Sequence, residues 1–102
     1  MILFWSTPAT DDLTGLRDYI AQGSEYYAAD FIQRILQAIQ KLEQFPELGR
    51  IIPEIQDPTA RELLFQNYRI LYRVKPDRID IAAVIHGRRD IRRKISERWE
   101  IL

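Results

Sequence analysis

Two features of this chain could do chemistry on a phosphate. Arg69 and Arg73 stand four residues apart in "YRILYRV" (Tyr68–Val74). In an extended strand that spacing puts both on one face. Planar guanidinium groups grip phosphate with paired hydrogen bonds and stabilise charge that develops at a scissile phosphodiester. The single histidine, His86, lies in "IHGRRDIRRKI" (Ile85–Ile95), beside four arginines and a lysine. An imidazole titrates near neutrality and can give or take a proton in reach of a substrate. Each has a structural reading too. Arg69 and Arg73 can pair with Glu62 on a neighbouring strand, and His86 can fix the turn at Gly87 with Asp90 as partner. Cysteine is absent, which excludes disulfides and thiolate metal sites, and one histidine leaves little for zinc. No metal or cofactor is called for.

Those side chains need elements to position them. "ILFWS" (Ile2–Ser6) is apolar and rich in β-formers, a short strand. Thr7 offers an N-cap and Pro8 a first helical residue, with Asp11 and Asp12 near the helix's positive end. Leu13, Leu16 and Ile20 make one stripe before Gly23 stops the helix and Ser24 caps the next. In that second helix Ala28, Ile32, Ile35, Ile39 and Leu42 line a face that Phe31, Ala38 and Phe45 widen. The two helices must fold back as a hairpin. "PELGRIIPEIQDPTA" has three prolines and no period, a loop. Strands follow at Arg61–Phe65, Tyr68–Val74 and Ile79–Gly87, the last apolar on both faces and hence central. Tyr68, Ile70, Tyr72 and Val74 share the buried face. Arg69, Leu71 and Arg73 share the other, which is expected to be partly open.

The fold class is therefore α+β, β-α-α-β-β-β, with a helical hairpin packed on a small, mainly antiparallel sheet. Residues 1–102 are expected to form a single domain. In the tail, Ile91, Ile95, Trp99 and Leu102 recur at helical spacing, so a C-terminal helix is expected, with an apolar stripe suited to a partner. The formal net charge is zero, but residues 1–60 carry 4 Lys/Arg against 9 Asp/Glu and residues 61–102 carry 11 against 6. A basic half can face phosphates or acidic protein segments, whereas a dedicated nucleic-acid binder is more often basic overall. No apolar run approaches the roughly 20 residues of a membrane span. A cytoplasmic location is expected.

"FPELGRIIPE" (Phe45–Glu54), "RELLF", "YRILYRV" and "VIHGRRD" (Val84–Asp90), in this order and spacing, resemble the ParE/RelE superfamily of type II toxin–antitoxin toxins. The resemblance runs over nearly the whole chain. It implies a small toxin neutralised by a cognate antitoxin. RelE-like members cleave mRNA at the ribosome; ParE-like members bind and inhibit DNA gyrase. On the nuclease reading, Arg69 matches the strand-motif arginine, Arg89 a second phosphate-binding arginine, and His86 lies near a proton-transfer position. The terminal aromatic of the nucleases has no match except the late Trp99. Their lysine pair is absent, and the loop "RIIPEIQD" stands in its place. With zero net charge, these departures favour the ParE-like reading, and the ribonuclease is the alternative. The candidate partner-binding residues are Arg61, Arg73, Arg88, Arg92 and Arg93, with Ile95 and Trp99 of the tail.

Overall fold

The computed structural model describes residues 1–87 and 90–102. The described residues form, in order, β1 (Ile2–Trp5), α1 (Thr7–Ala21), α2 (Glu25–Gln40), β2 (Arg50–Ile51), β3 (Ala60–Phe65), β4 (Tyr68–Val74), β5 (Arg78–His86) and α3 (Ile91–Glu97). A single 3₁₀ turn, Lys41–Glu43, finishes the second helix and buries Leu42. The sheet order is β1-β5-β4-β3-β2, with β1 parallel to β5 and the other pairs antiparallel. This is the α+β architecture expected, with the C-terminal helix. β2 is an addition: two residues of the proline-rich loop pair with Arg61 and Glu62, too short a run to leave a periodic signature.

Local chemistry accounts for the helix boundaries. Ser6, one residue before the expected cap, accepts the N–H of Ala9 at 3.1 Å. Pro8 still falls in the first turn, where its missing N–H costs nothing. Ser24 caps α2 by accepting from Tyr27 at 3.0 Å. The α2 stripe buries Ala28, Phe31, Ile35 and Ile39, but Phe45 is exposed because the chain turns away after the 3₁₀ turn.

β5 is buried from Ile79 to Ile85, as befits its central place. It carries a bulge. Leu71 pairs with Ala83 while Tyr72 pairs with Ile81, so Ala82 is the extra residue. The bulge shifts the alternation. Ile79, Ile81 and Val84 join Ile70, Tyr72 and the helical hairpin in one core. Leu71, Ala82, Ala83 and Ile85 form a second core on the opposite face with Ile52, Ala60, Ile95 and Leu102. That second face is therefore not the partly open surface expected: the 52–60 loop and the C-terminal helix cover much of it. Trp99 lies beyond the helix end and is exposed, so the apolar stripe divides, with Ile95 and Leu102 buried and Trp99 in solvent.

Gly49 holds the loop against the sheet. A Cβ there would stand 2.5 Å from the Glu62 carbonyl oxygen and 2.7 Å from the Tyr72 hydroxyl. The Gly49 N–H donates to that hydroxyl at 2.9 Å, and the hydroxyl donates to the Pro46 carbonyl at 2.8 Å.

Candidate functional site

The centre of the site is a carboxylate inside a strand. Glu62 follows Arg61 in β3, ahead of the apolar Leu63–Phe65, and its side chain is 0% exposed. An isolated buried carboxylate is costly, so it must be paired. Glu62 pairs across the ladder with Leu71 of β4, which puts Arg69, two residues earlier, on the diagonal of the same face. Arg69 Nε donates to Glu62 Oε2. From the other side Arg50 Nε of β2 donates to Glu62 Oε1 at 2.8 Å. Arg69 Nη2 reaches Glu54 of the proline-rich loop at 3.1 Å. The Arg69 side chain is 11% exposed and that of Arg50 58%.

The charges tune one another. Burial works to raise the Glu54 carboxyl, but the Arg69 hydrogen bond, Glu54's own backbone N–H and the charges of Arg69 and Arg92 outweigh it, so Glu54 titrates below its ordinary range. Burial would lower Arg69, yet its bonds to Glu62 and Glu54 raise it further. Arg69 is thus a cation held by two carboxylates of the same chain, through Nε and Nη2. A phosphate approaching Arg69 would compete with both carboxylates for its charge, and releasing Glu62 altogether would cost about 3–5 kcal/mol, as when a buried pair is broken.

His86 ends β5 opposite Tyr68. Their rings meet edge to face, centroids 5.5 Å apart at 83°. Arg69 is paired instead with Ile85, so Arg69 and His86 leave the sheet on opposite faces. They meet only at the rim of a shallow cleft of about 240 Å³ at the sheet's end, with Arg50, Gln66, Asn67 and Gly87. Gly87 donates to the Asn67 carbonyl at 2.7 Å, closing the turn there. Arg89 and Arg88 lie outside the described residues.

Arg73 shares the face of Arg69 but not its partners. Its Nη1 bonds Asp57 at 3.1 Å and the Thr59 hydroxyl at 2.6 Å. The Thr59 N–H and hydroxyl, then Arg73, hold the Asp57 carboxyl below its usual range. Arg61 bonds the carbonyls of Pro58 at 2.9 Å and Gly49 at 2.9 Å, tying down both ends of the loop. Arg92 and Arg93 are exposed on α3, Arg93 bridging Glu97 at 3.2 Å. Among the described residues no group of three His, Asp or Glu side chains could hold a metal ion. No helix among them is long and apolar enough to cross a membrane.

The sequence model of a family described as "ParE toxin of type II toxin-antitoxin system, parDE" matches residues 3–91. The chain belongs to the ParE toxin family. Within the wider ParE/RelE superfamily, this ParE-family chain is 35% identical over 86 residues to Toxin RelE2 of Caulobacter vibrioides, covering 83% of this chain and 93% of that one. A solved structure described as "Chromosomal ParDE TA system from P. aeruginosa" superposes with a TM-score of 0.71 at 26% identity, over 84% of this chain and 95% of the other. The ParE-family fold thus accounts for the order of motifs.

Among the ion pairs that sequence reasoning missed in this ParE-family chain, one ties its two ends together. Arg98 grips Asp12 with two bonds, Nη1 to Oδ2 at 3.0 Å and Nη2 to Oδ1 at 2.9 Å. Arg98 also donates to the Ala82 carbonyl at 2.7 Å, and Asp12 accepts the Val84 N–H at 3.0 Å. Asp12 sits in the first helical turns and suggests a dipole partner; nothing local links it to a residue 86 positions away.

Proposed function

We propose that this chain is the toxin of a type II toxin–antitoxin pair that acts in the cytoplasm by binding and inhibiting DNA gyrase, without cleaving RNA, and that a cognate antitoxin neutralises it. The observation that carries the reading is that Arg69 is held by two carboxylates of its own chain. A nuclease built from Arg69 and His86 needs both aimed at one phosphodiester, within hydrogen-bond reach. Here the arginine holds Glu62 and Glu54, and the histidine leaves the other face of the sheet beside Tyr68. The family match and the structural likeness to a ParDE system support the same branch.

The second reading is a ribosome-dependent endoribonuclease using Arg69, Arg89 and His86; the RelE name of the 35%-identical relative favours it. Induced expression of the wild-type chain and of Arg69→Ala, with mRNA 5′ ends mapped and plasmid supercoiling followed, separates the two. We expect falling supercoiling and uncut mRNA. Cleavage that vanishes in Arg69→Ala while supercoiling holds would establish the nuclease instead.

A further inference from the structure

β1 is one edge of the sheet and β2 the other. The two edges are built differently. β2 is two residues long, carries Arg50 and runs on to Pro53. Shortness, charge and proline are devices that keep an edge from pairing with another chain. β1, Ile2–Trp5, has no charge, no proline and no bulge. Its main chain is open as well. In a parallel ladder alternate residues turn both main-chain groups toward the same neighbour. The Ser6 N–H donates to the Ile81 carbonyl of β5 at 3.1 Å, so Phe4, two residues earlier, also faces β5. Leu3 and Trp5 therefore direct their N–H and C=O outward, and no group among the described residues bonds them there.

The side chains divide between the two faces. Leu3 and Trp5 pack against the hairpin core, whereas Ile2 and Phe4 stand on the opposite face, 70% and 56% exposed. Arg78 lies over the Phe4 ring, 5.2 Å from its centroid, with its charge already met by Asp80 at 2.9 Å. No unpaired charge on the strand repels a like surface. The complement of a short, uncharged, apolar edge is another such edge, and β1 matches itself. Set antiparallel about a two-fold axis at Phe4, each Leu3 faces the partner subunit's Trp5. Every outward N–H then finds an outward C=O. Phe4 meets the partner's Phe4 in the closer, non-hydrogen-bonded position, where aromatic pairs stabilise a ladder.

We propose that β1 is a self-association edge, at which two copies of this chain join as a symmetric dimer through antiparallel β1–β1 pairing centred on Phe4. Such pairing consumes both open edges and leaves the guarded β2 edges outermost, so association closes at the dimer. The proposal holds whether the chain acts on gyrase or on RNA.

Sedimentation velocity of the purified 102-residue chain tests it. The sedimentation coefficient should rise with concentration from monomer to dimer, half-way on the order of 100 μM, as suits a small interface. Phe4→Lys sets like charges on the axis and should weaken association about tenfold. Tyr26→Lys and Trp99→Lys, which alter exposed aromatics elsewhere, should leave it unchanged. The chain has no cysteine, so single cysteines report the register even if Phe4→Lys melts early. Phe4→Cys should form a disulfide dimer on mild oxidation, its Cα standing about 4.5 Å from that of its copy. Ile2→Cys, about 14 Å from its copy in this register, should not. A wild-type chain that stays monomeric up to roughly 1 mM would leave the edge to a partner of another kind and overturn the proposal. So would association that Phe4→Lys leaves intact, or cross-linking as fast through Ile2→Cys as through Phe4→Cys.

Discussion

At the level of single side chains, Glu62 is held by guanidinium groups from the strands on both sides of its own. Removing it leaves Arg69 nearly buried with only Glu54. Glu62→Ala is therefore expected to destabilise by about 3 kcal/mol, a fall of roughly 12–24 °C in melting temperature for a domain of this size. Arg50→Ala removes a largely exposed partner and should cost no more than about 1 kcal/mol. Thermal melts of the two variants check the contrast; equal losses would mean that Glu62 does not depend on Arg69. The depressed carboxyls give a pH dependence of definite sign. Glu54 and Asp57 both titrate lower folded than unfolded, against ordinary values of 4.5 and 3.8. The folded chain thus binds fewer protons, so their contribution is complete above about pH 5 and drains away as pH falls through the folded values. Melting temperature should decline below that point, and the decline should be shallower in Glu54→Gln and Asp57→Asn. An unchanged slope in both variants would remove these groups from the acid response.

Among the elements, the legible and the illegible parts separate for a physical reason. The α2 stripe, the Tyr68–Val74 alternation and the turn at Gln66 and Asn67 are set by neighbours a few residues apart, and periodicity reports them. Gln66 even adopts the left-handed backbone, φ 51°, that such a two-residue turn requires. The bulge at Ala82 is invisible in the apolar run Ile81–Ile85, because either register buries apolar side chains. It nonetheless places Val84, not Ala83, toward the hairpin core and Ile85 toward α3. At the site, the pairing of Arg69 with Glu62 was foreseeable from a glutamate set in a strand. The placement of His86 on the other face followed only from the register. The Asp12–Arg98 clamp joins α1, the bulge and the C-terminal residues, which no local pattern could link. Its disruption should therefore loosen elements far apart in sequence. In Asp12→Asn, amide exchange is expected to quicken at Val84 and through residues 95–102 together, while α2 stays protected. Acceleration confined to α1 would deny the clamp that role. Close packing at Gly49 is likewise an element-scale matter. Gly49→Ala must push the loop off the Glu62 carbonyl and the Tyr72 hydroxyl, at a cost of at least about 2 kcal/mol by analogy with overpacked cores. A melt within 2–3 °C of wild type would show that the loop gives way freely.

For the molecule as a whole, the basic second half is less of a positive face than its count suggests. Arg61, Arg69, Arg73, Arg78 and Arg98 are each engaged with carboxylates or carbonyls of the same chain. Long-range attraction for a polyanion falls as such charges are neutralised at close range. Beside the exposed Arg92 and Arg93, the fold leaves large aromatic side chains in solvent: Trp99 beyond α3, and Tyr19, Tyr26 and Tyr27 around the tip of the helical hairpin. Large aromatic side chains on the surface anchor protein partners more often than they mark a catalytic centre. The binding toxin proposed above would draw on such anchors. The most direct measurement is a supercoiling assay with purified gyrase and relaxed plasmid, run beside ribosomes translating a labelled mRNA. The account predicts that added chain suppresses supercoiling while the mRNA stays whole. Cut mRNA, with supercoiling at its full rate, would contradict it.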